Sequence, residues 1–252
     1  MAVPCFLFSI ICLIALIAIG AYRYRIKQIR AKANIDKKLA QTEMKALHAQ
    51  MNPHFISNSL NSIREMILND ENKDASRYLT KFAHLIRITL EHSLMHFVSL
   101  RNTMDYLNRY AEMEMIRNSK FTFRQHVTDD LPLDEVLLPP MLIQPFIENS
   151  IWHGANNKFI DISVSFSQEN DQLVCVIEDN GIGINQSLEL KKRMPELQRS
   201  IGIENIRNRI QLLNEKYDMK SSISIEDKSD RHIDGITGTI VTIKLKLQNR
   251  DI

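Results

Sequence analysis

The stretch Gln144-Pro-Phe-Ile-Glu-Asn-Ser-Ile-Trp-His153 follows a double proline, Pro139-Pro140, and precedes two runs of alternating apolar residues. The prolines supply a start signal, so the pattern predicts a helix from Pro140 to about His153. On that helix Asn149 and His153 stand one turn apart, with Glu148 adjacent. An asparagine carbonyl oxygen is a suitable ligand for magnesium, which normally arrives with substrate phosphates. A polar stripe on an amphipathic helix is the plainer alternative. Downstream, residues 159–167 and 172–178 read as strands, and the second runs into Asp179-Asn-Gly-Ile-Gly183. Strands mixed with helices set this half of the chain apart from an all-helical half upstream.

A carboxylate at a strand end accepts a hydrogen bond from an amino group, and glycine lets backbone approach a ligand closely. Asp179, Gly181 and Gly183 are therefore candidates for a binding loop, although Asp-x-Gly-x-Gly alone describes a simple turn equally well. From Asp179 to Ser200 the chain reads as a polar loop. Ser200-Ile-Gly-Ile-Glu-Asn-Ile-Arg-Asn-Arg209 then opens a helix from Ile201 to about Lys216, whose first N–H groups are placed to hold phosphates. Strands are expected near 221–225 and over 239–247. Gly235-Ile-Thr-Gly-Thr239 precedes the last of them, and a hairpin turn accounts for it as readily as a site does.

Upstream, Lys120 to Val127 alternates as a strand, and the boundary between the two halves falls near residue 119. Ser99 is placed to cap a helix running to about Arg117. Asp74 is placed to cap another, after the turn Asn69-Asp-Glu-Asn-Lys73, with Leu79, Phe82, Ala83, Ile86, Leu90 and Leu94 inward. The helix before it carries Leu60, Ile63 and Ile67 on one face and His54, Asn58 and Asn61 on another. Asparagine and serine are poor helix-interior residues. Their density around His54, in Gln50-Met-Asn-Pro-His-Phe-Ile-Ser-Asn-Ser-Leu-Asn-Ser-Ile63, points to a working face, or else to caps and solvated surface. Pro53 starts or kinks this helix, with Asn52 as N-cap. A helix pair this short cannot bury its apolar faces alone, and dimerisation into a four-helix bundle solves that problem. An imperfect apolar seam from Ile26 to Met51, as in a short two-stranded coil, leads into it.

Residues 5–22 carry no charge, and about twenty apolar residues span a bilayer core as a helix. Arg23, Arg25, Lys27, Arg30, Lys32, Lys37 and Lys38 follow immediately, which predicts a cytoplasmic location for the rest of the chain. A cleaved signal peptide would carry its charges before the apolar run, so a retained anchor is the favoured reading. The net charge of +2, with no basic stripe interleaved with aromatics, gives no reason to expect direct nucleic-acid binding. The placement of Cys5, Cys12 and Cys175 indicates neither a disulfide framework nor a metal cluster.

In the order and spacing of these elements the chain resembles the LytS-type sensor histidine kinases, over roughly residues 26–247. That family's acceptor motif, Gln-x-Asn-Pro-His-Phe-x-x-Asn-x-Leu-Asn, is matched from Gln50 to Asn61. Its asparagine box is matched from Gln144 to Gly154, its glycine boxes at Asp179–Gly183 and Ser200–Asn205, and its terminal strand at Gly238 and Thr239. The resemblance implies an α+β chain: a transmembrane anchor (1–25), a helical linker and dimerisation/phosphoacceptor domain (26–119), and an α/β-sandwich ATP-binding domain of the gyrase, Hsp90 and MutL type (120–252). It implies that His54 accepts the γ-phosphoryl group of ATP, that Asn149 holds Mg²⁺, and that Asp179 reads the adenine amino group. Gly181, Gly183 and Gly202 would give backbone access to nucleotide, residues 184–200 would form the lid, and His153, Asn205, Gly238 and Thr239 belong to the same boxes. The implied protein is a homodimer in the cytoplasmic membrane of a bacterium, crossing it once and passing its phosphoryl group to an aspartate of a response regulator. Three departures stand out: Ser57 where many relatives have Phe, Ser200 where glycine is usual, and Phe55 where other histidine kinases have an acid. The last leaves the general base open, with Glu148 a candidate if docking brings it to His54, and Asn58 a candidate for positioning a phosphatase water. A catalytically inactive nucleotide-binding membrane adaptor is the alternative. A gyrase-type ATPase would place a glutamate four residues before the magnesium asparagine, where this chain has Pro145.

Overall fold

A computed structural model describes residues 19–30, 53–153, 159–193, 201–217, 219–231 and 236–247. Residues 19–30 form a helix, α1. No helix among the described residues is long and apolar enough to cross a membrane. Most of the expected anchor at 5–22, and most of the expected seam up to Met51, lie outside the described residues.

Helices α2 (Pro53–Leu68) and α3 (Asn72–Ser93) pack antiparallel across a turn in which Asp70 takes φ of 61°. Their buried faces differ from the expected ones. On α2, Phe55, Ser59 and Ile63 are inside, while Leu60 and Ile67 are about half exposed. On α3, Ala75, Tyr78, Leu85, Thr89 and His92 are inside, while Leu79, Leu90 and Leu94 face out. The reason is aromatic. The Phe55 ring lies 5.9 Å from that of Phe82 and 5.7 Å from that of Tyr110, and large flat rings bury more area than the aliphatic stripe would. The aliphatic stripe is left facing outward. Asp74 does not cap α3. It lies in the first turn, where its charge still favours the helix start, and its carboxylate pairs with Arg77.

Ser99 does cap the next helix, α4 (Leu100–Arg117), its hydroxyl accepting from the N–H of Asn102 at 3.2 Å. Leu100, Thr103, Tyr106, Leu107, Tyr110, Ala111, Met113 and Glu114 give α4 a buried stripe of helical period. A two-residue strand before it, β1 (Val98–Ser99), pairs with β3 (Leu137–Leu138) on the far side of residue 119.

The main sheet has five strands in the order β2 (Phe121–Val127), β4 (Ile160–Glu169), β5 (Gln172–Asp179), β7 (Thr239–Lys246) and β6 (Ser222–Asp227). β2 and β4 run parallel, and the other neighbours are antiparallel. Parallel neighbours need a crossover, and helix α5 (Gln144–His153) lies within it. Alternation decides which face is buried: Ile160, Ile162, Val164 and Phe166 on β4 point inward, and the pairs Cys175–Ile243 and Ile177–Val241 continue that layer. One apolar core joins this layer to α4, α5, α7 (Ile201–Tyr217) and the aromatic contacts of α2 and α3. The junction expected near residue 119 is thus crossed both by a strand pair and by the core.

Two elements depart from the sequence reading. α5 begins at Gln144 rather than at Pro140, because Arg209 of α7 donates to the Pro140 carbonyl at 2.6 Å and Met141 takes φ of 57°. The stretch read as a polar loop contains helix α6 (Gly183–Arg193).

Trp152 of α5 is the only tryptophan, and its ring is stacked under the Arg117 guanidinium at 3.9 Å. Truncating buried Leu107 on α4 should cost about 2–5 kcal/mol in urea unfolding followed by Trp152 fluorescence. A Trp152 transition indifferent to Leu107→Ala would mean that α4 is not part of the same folding unit as α5.

Candidate functional site

Asp179, at the end of β5, ties together three parts of the candidate site. It is buried, and three donors from three parts of the chain converge on it. Ser150 of α5 donates its hydroxyl to Oδ2 at 2.8 Å, Gly181 its N–H to Oδ1 at 2.9 Å, and Thr239 of β7 its N–H to Oδ1 at 3.1 Å. An ionised carboxylate offers about four acceptor positions, so one on Oδ2 is left for an outside donor such as an exocyclic amine.

Gly238 lies against the same strand end. It takes φ of 127°, and a Cβ there would stand 2.0 Å from the Asp179 carbonyl oxygen, so no larger residue fits. Gly183 takes φ of 79°, and its Cβ position is filled by the carboxylate of Asp227. The glycine is thus required by packing inside the protein, apart from any approach to a ligand. Gly181 is buried in the turn.

Asn149 follows Glu148 on α5. It is partly exposed, and its side chain has no hydrogen-bond partner among the described residues, so its carbonyl oxygen is open to a cation. The chemistry of this donor set fits Mg·ATP: a neutral oxygen for the metal, a buried carboxylate for the base. The side chains of His54, His153 and Asn205 lie outside the described residues. The backbone places His54 in the first turn of α2 and Gly202 and Asn205 in α7. Asn58 is partly buried one turn beyond His54.

Glu148 sits at the end of a polar seam that joins three helices. The Tyr106 hydroxyl donates to Oε1 of Gln144 at 2.7 Å, and Gln144 Nε2 donates to Oε1 of Glu148 at 2.8 Å. Thr89 of α3 lies 3.2 Å from the Tyr106 oxygen. Tyr110 interacts with the Glu148 carboxyl, and its ring lies 5.7 Å from that of Phe55, the residue after His54. Desolvation pushes the Glu148 carboxyl up to about 7. The Gln144 bond works against this, the charge of Glu114 adds to it, and the Tyr110 bond opposes it again.

Ser150, Gln144, Tyr106 and Asp227 were not foreseen as site residues. Ser150 and Gln144 lie inside the quoted helix, where only hydrogen-bond geometry separates a working residue from a neighbour. Tyr106 and Asp227 come from distant segments and carry no local signal.

The profile of the family described as "Histidine kinase" matches residues 42–121, about a third of the chain. The sensor protein LytS of Staphylococcus haemolyticus is 32% identical over 152 residues, covering 59% of this chain and 26% of LytS. The sensor histidine kinase BtsS of Escherichia coli K12 is 35% identical over 147 residues, covering 56% of this chain and 25% of BtsS. The match thus spans about a quarter of the length of these relatives. Among solved structures, the histidine kinase domain of the Erythrobacter litoralis EL346 blue-light activated kinase superposes with a TM-score of 0.41 at 18% identity, covering 84% of this chain and 96% of that one. That superposition is too loose to carry a functional parallel. These matches support a likeness to the LytS-type sensor histidine kinases.

The Glu148 carboxyl has a testable consequence for stability. Its folded value, about 7, lies above the ordinary 4.5. The stability tied to its neutral form is therefore intact below about pH 4.5 and is lost as pH rises through about 7. Measured by thermal unfolding, the wild type should lose stability relative to Glu148→Gln between about pH 5 and pH 8. A difference that stays constant over that range would contradict the burial of this carboxyl.

Proposed function

We propose that this chain is the kinase portion of a membrane-anchored, homodimeric sensor that phosphorylates His54 from Mg·ATP. It would then pass the phosphoryl group to an aspartate on the receiver domain of a response regulator. The observation that carries this reading is the Asp179 carboxylate, buried, tied to α5, the glycine turn and β7, and left with one acceptor position. A site that commits a buried charge in this way has a use for the remaining lone pair, and the adenine amino group matches it.

In this reading Asn149 would hold Mg²⁺, which would supply charge neutralisation to the triphosphate. Gly202 and Asn205 lie at the N-terminal end of α7, where free N–H groups favour phosphates, and His153, Gly181, Gly183, Gly238 and Thr239 complete the pocket. Phosphoryl transfer asks the protein mainly for positioning and charge neutralisation. A neutral imidazole of His54 attacks the γ-phosphorus, the bond to the ADP oxygen breaks, and the phosphorylated ring sheds one proton. Glu148 is the candidate acceptor of that proton, because Tyr110 interacts with it and packs on Phe55 next to His54. Asn58, one turn past His54, is the candidate for holding water in the reverse, phosphatase direction. The outward-facing Leu60, Ile67, Leu79, Leu90 and Leu94 supply the apolar face that a second copy would cover in a four-helix bundle. The uncharged run at 5–22 followed by clustered basic residues supports a single membrane anchor.

His54→Gln should abolish acid-labile, base-stable labelling by γ-labelled ATP while nucleotide binding persists. Undiminished labelling would sink the acceptor assignment. Asp179→Asn and Asn149→Asp should each lower labelling at least tenfold through nucleotide or metal handling. Normal ATP affinity and labelling in both would refute those two roles.

A further inference from the structure

The turn that follows β6 is built from a few residues that hold three separate parts of the candidate site. Asp227, buried at the end of β6, directs Oδ2 at the N–H of Asn185 (2.8 Å) and Oδ1 at the N–H (2.9 Å) and hydroxyl (2.6 Å) of Ser229. The same carboxylate fills the space where a Cβ on Gly183 would lie, 2.5 Å from Oδ2. Its neighbour Lys228 donates its N–H to the Gly238 carbonyl at 2.9 Å and pairs with Glu178 at 3.2 Å. Asp230 accepts from the Asn185 side chain at 3.1 Å. One turn, Asp227 to Asp230, thus touches the end of β5, the start of β7 and the first turn of α6.

Helix α6 depends on this contact. The residues just before it, Gly181 and Ile182, offer no side-chain acceptor, and an uncapped helix start leaves its first N–H groups unpaired. Asp227 supplies the missing acceptor from more than forty residues downstream, with a negative charge at the end of the helix that favours it. Burial works against that charge, but the hydrogen bonds from Ser229, Asn185 and Ile184 outweigh it and hold the carboxyl below the ordinary range. The capping group is therefore ionised at neutral pH.

We propose that Asp227 is a positioning residue, whose carboxylate fixes the start of α6 to the β6–β7 end of the sheet and so sets where α6 lies when nucleotide binds. This rests on the reading that the glycine turn and the segment after it face ATP. Asp227 touches no reacting atom. Its effect is on population: if α6 holds its binding-competent position only part of the time, apparent affinity falls by that fraction, while the chemistry of the bound state is unchanged.

The test uses the whole chain with Mg²⁺ and γ-labelled ATP at varied concentration. Asp227→Ala should raise the KM for ATP by roughly five- to thirtyfold, the population change that loss of one helix cap allows, with the labelling rate at saturating ATP within about twofold of wild type. Asp227→Asn keeps an amide oxygen able to accept from Asn185, and should bring KM back to within about threefold of wild type. An unchanged KM in Asp227→Ala, or a loss confined to the saturating rate, overturns the proposal. Amide hydrogen exchange of the wild type gives a second reading that needs no variant to fold. The Asn185 N–H should be protected, and exchange at the open-chain rate overturns the anchor. A wild type that takes no label would count against the kinase reading, and the exchange result would still decide the anchor.

Discussion

A buried carboxylate must be paired, and the candidate site is organised around satisfying one. Asp179 stands at the end of β5 with apolar layers beside it, and leaving its charge unpaired there would cost several kcal/mol. Its three donors come from α5, from the turn after β5 and from β7. Satisfying the charge therefore fixes the relative placement of the helix that bears Asn149, the glycine turn and the last strand. Gly238 follows from the same constraint, since the close approach of β7 to Asp179 leaves no room for a side chain.

The same logic extends outward in two directions. Toward the helical half, Tyr106 and Gln144 pass hydrogen bonds from α4 to Glu148, beside Asn149. Tyr110 carries packing from Phe55 to that carboxyl, so a shift of α2 against α4 is felt one residue from the proposed metal ligand. On the other side of the sheet's end, Asp227 and Lys228 bind α6 to β5 and β7. The Glu148 arm is embedded in apolar packing, where breaking one partner leaves the other unsatisfied.

How much of this could be read in the sequence follows from where the deciding atoms lie. β4 alternates Ile-Asp-Ile-Ser-Val-Ser-Phe-Ser, a pattern that one buried face imposes residue by residue, and its limits were legible to within two residues. Ser99, a local cap, marked α4 correctly. α6 was missed because its cap, Asp227, is remote. The start of α5 was misplaced because Arg209, also remote, takes the Pro140 carbonyl. On α2 and α3 both an aliphatic and an aromatic stripe have helical period. Choosing the buried one required knowing that Tyr110 of α4 would be opposite Phe55. The residues proposed for the site were found through ordered motifs. The partners that hold them (Ser150, Gln144, Tyr106 and Asp227) emerge only from the fold.

The central claim is that a phosphoryl group moves from ATP to one histidine on α2. Mapping the phosphorylated chain by mass spectrometry at neutral pH, with ³¹P NMR to identify the bond, tests it most directly. The expected result is a single phosphoramidate in the peptide containing His54, formed only when Mg²⁺ and ATP are both present. Phosphate on any other residue, or an unmodified His54 in a chain that binds Mg·ATP, would contradict it.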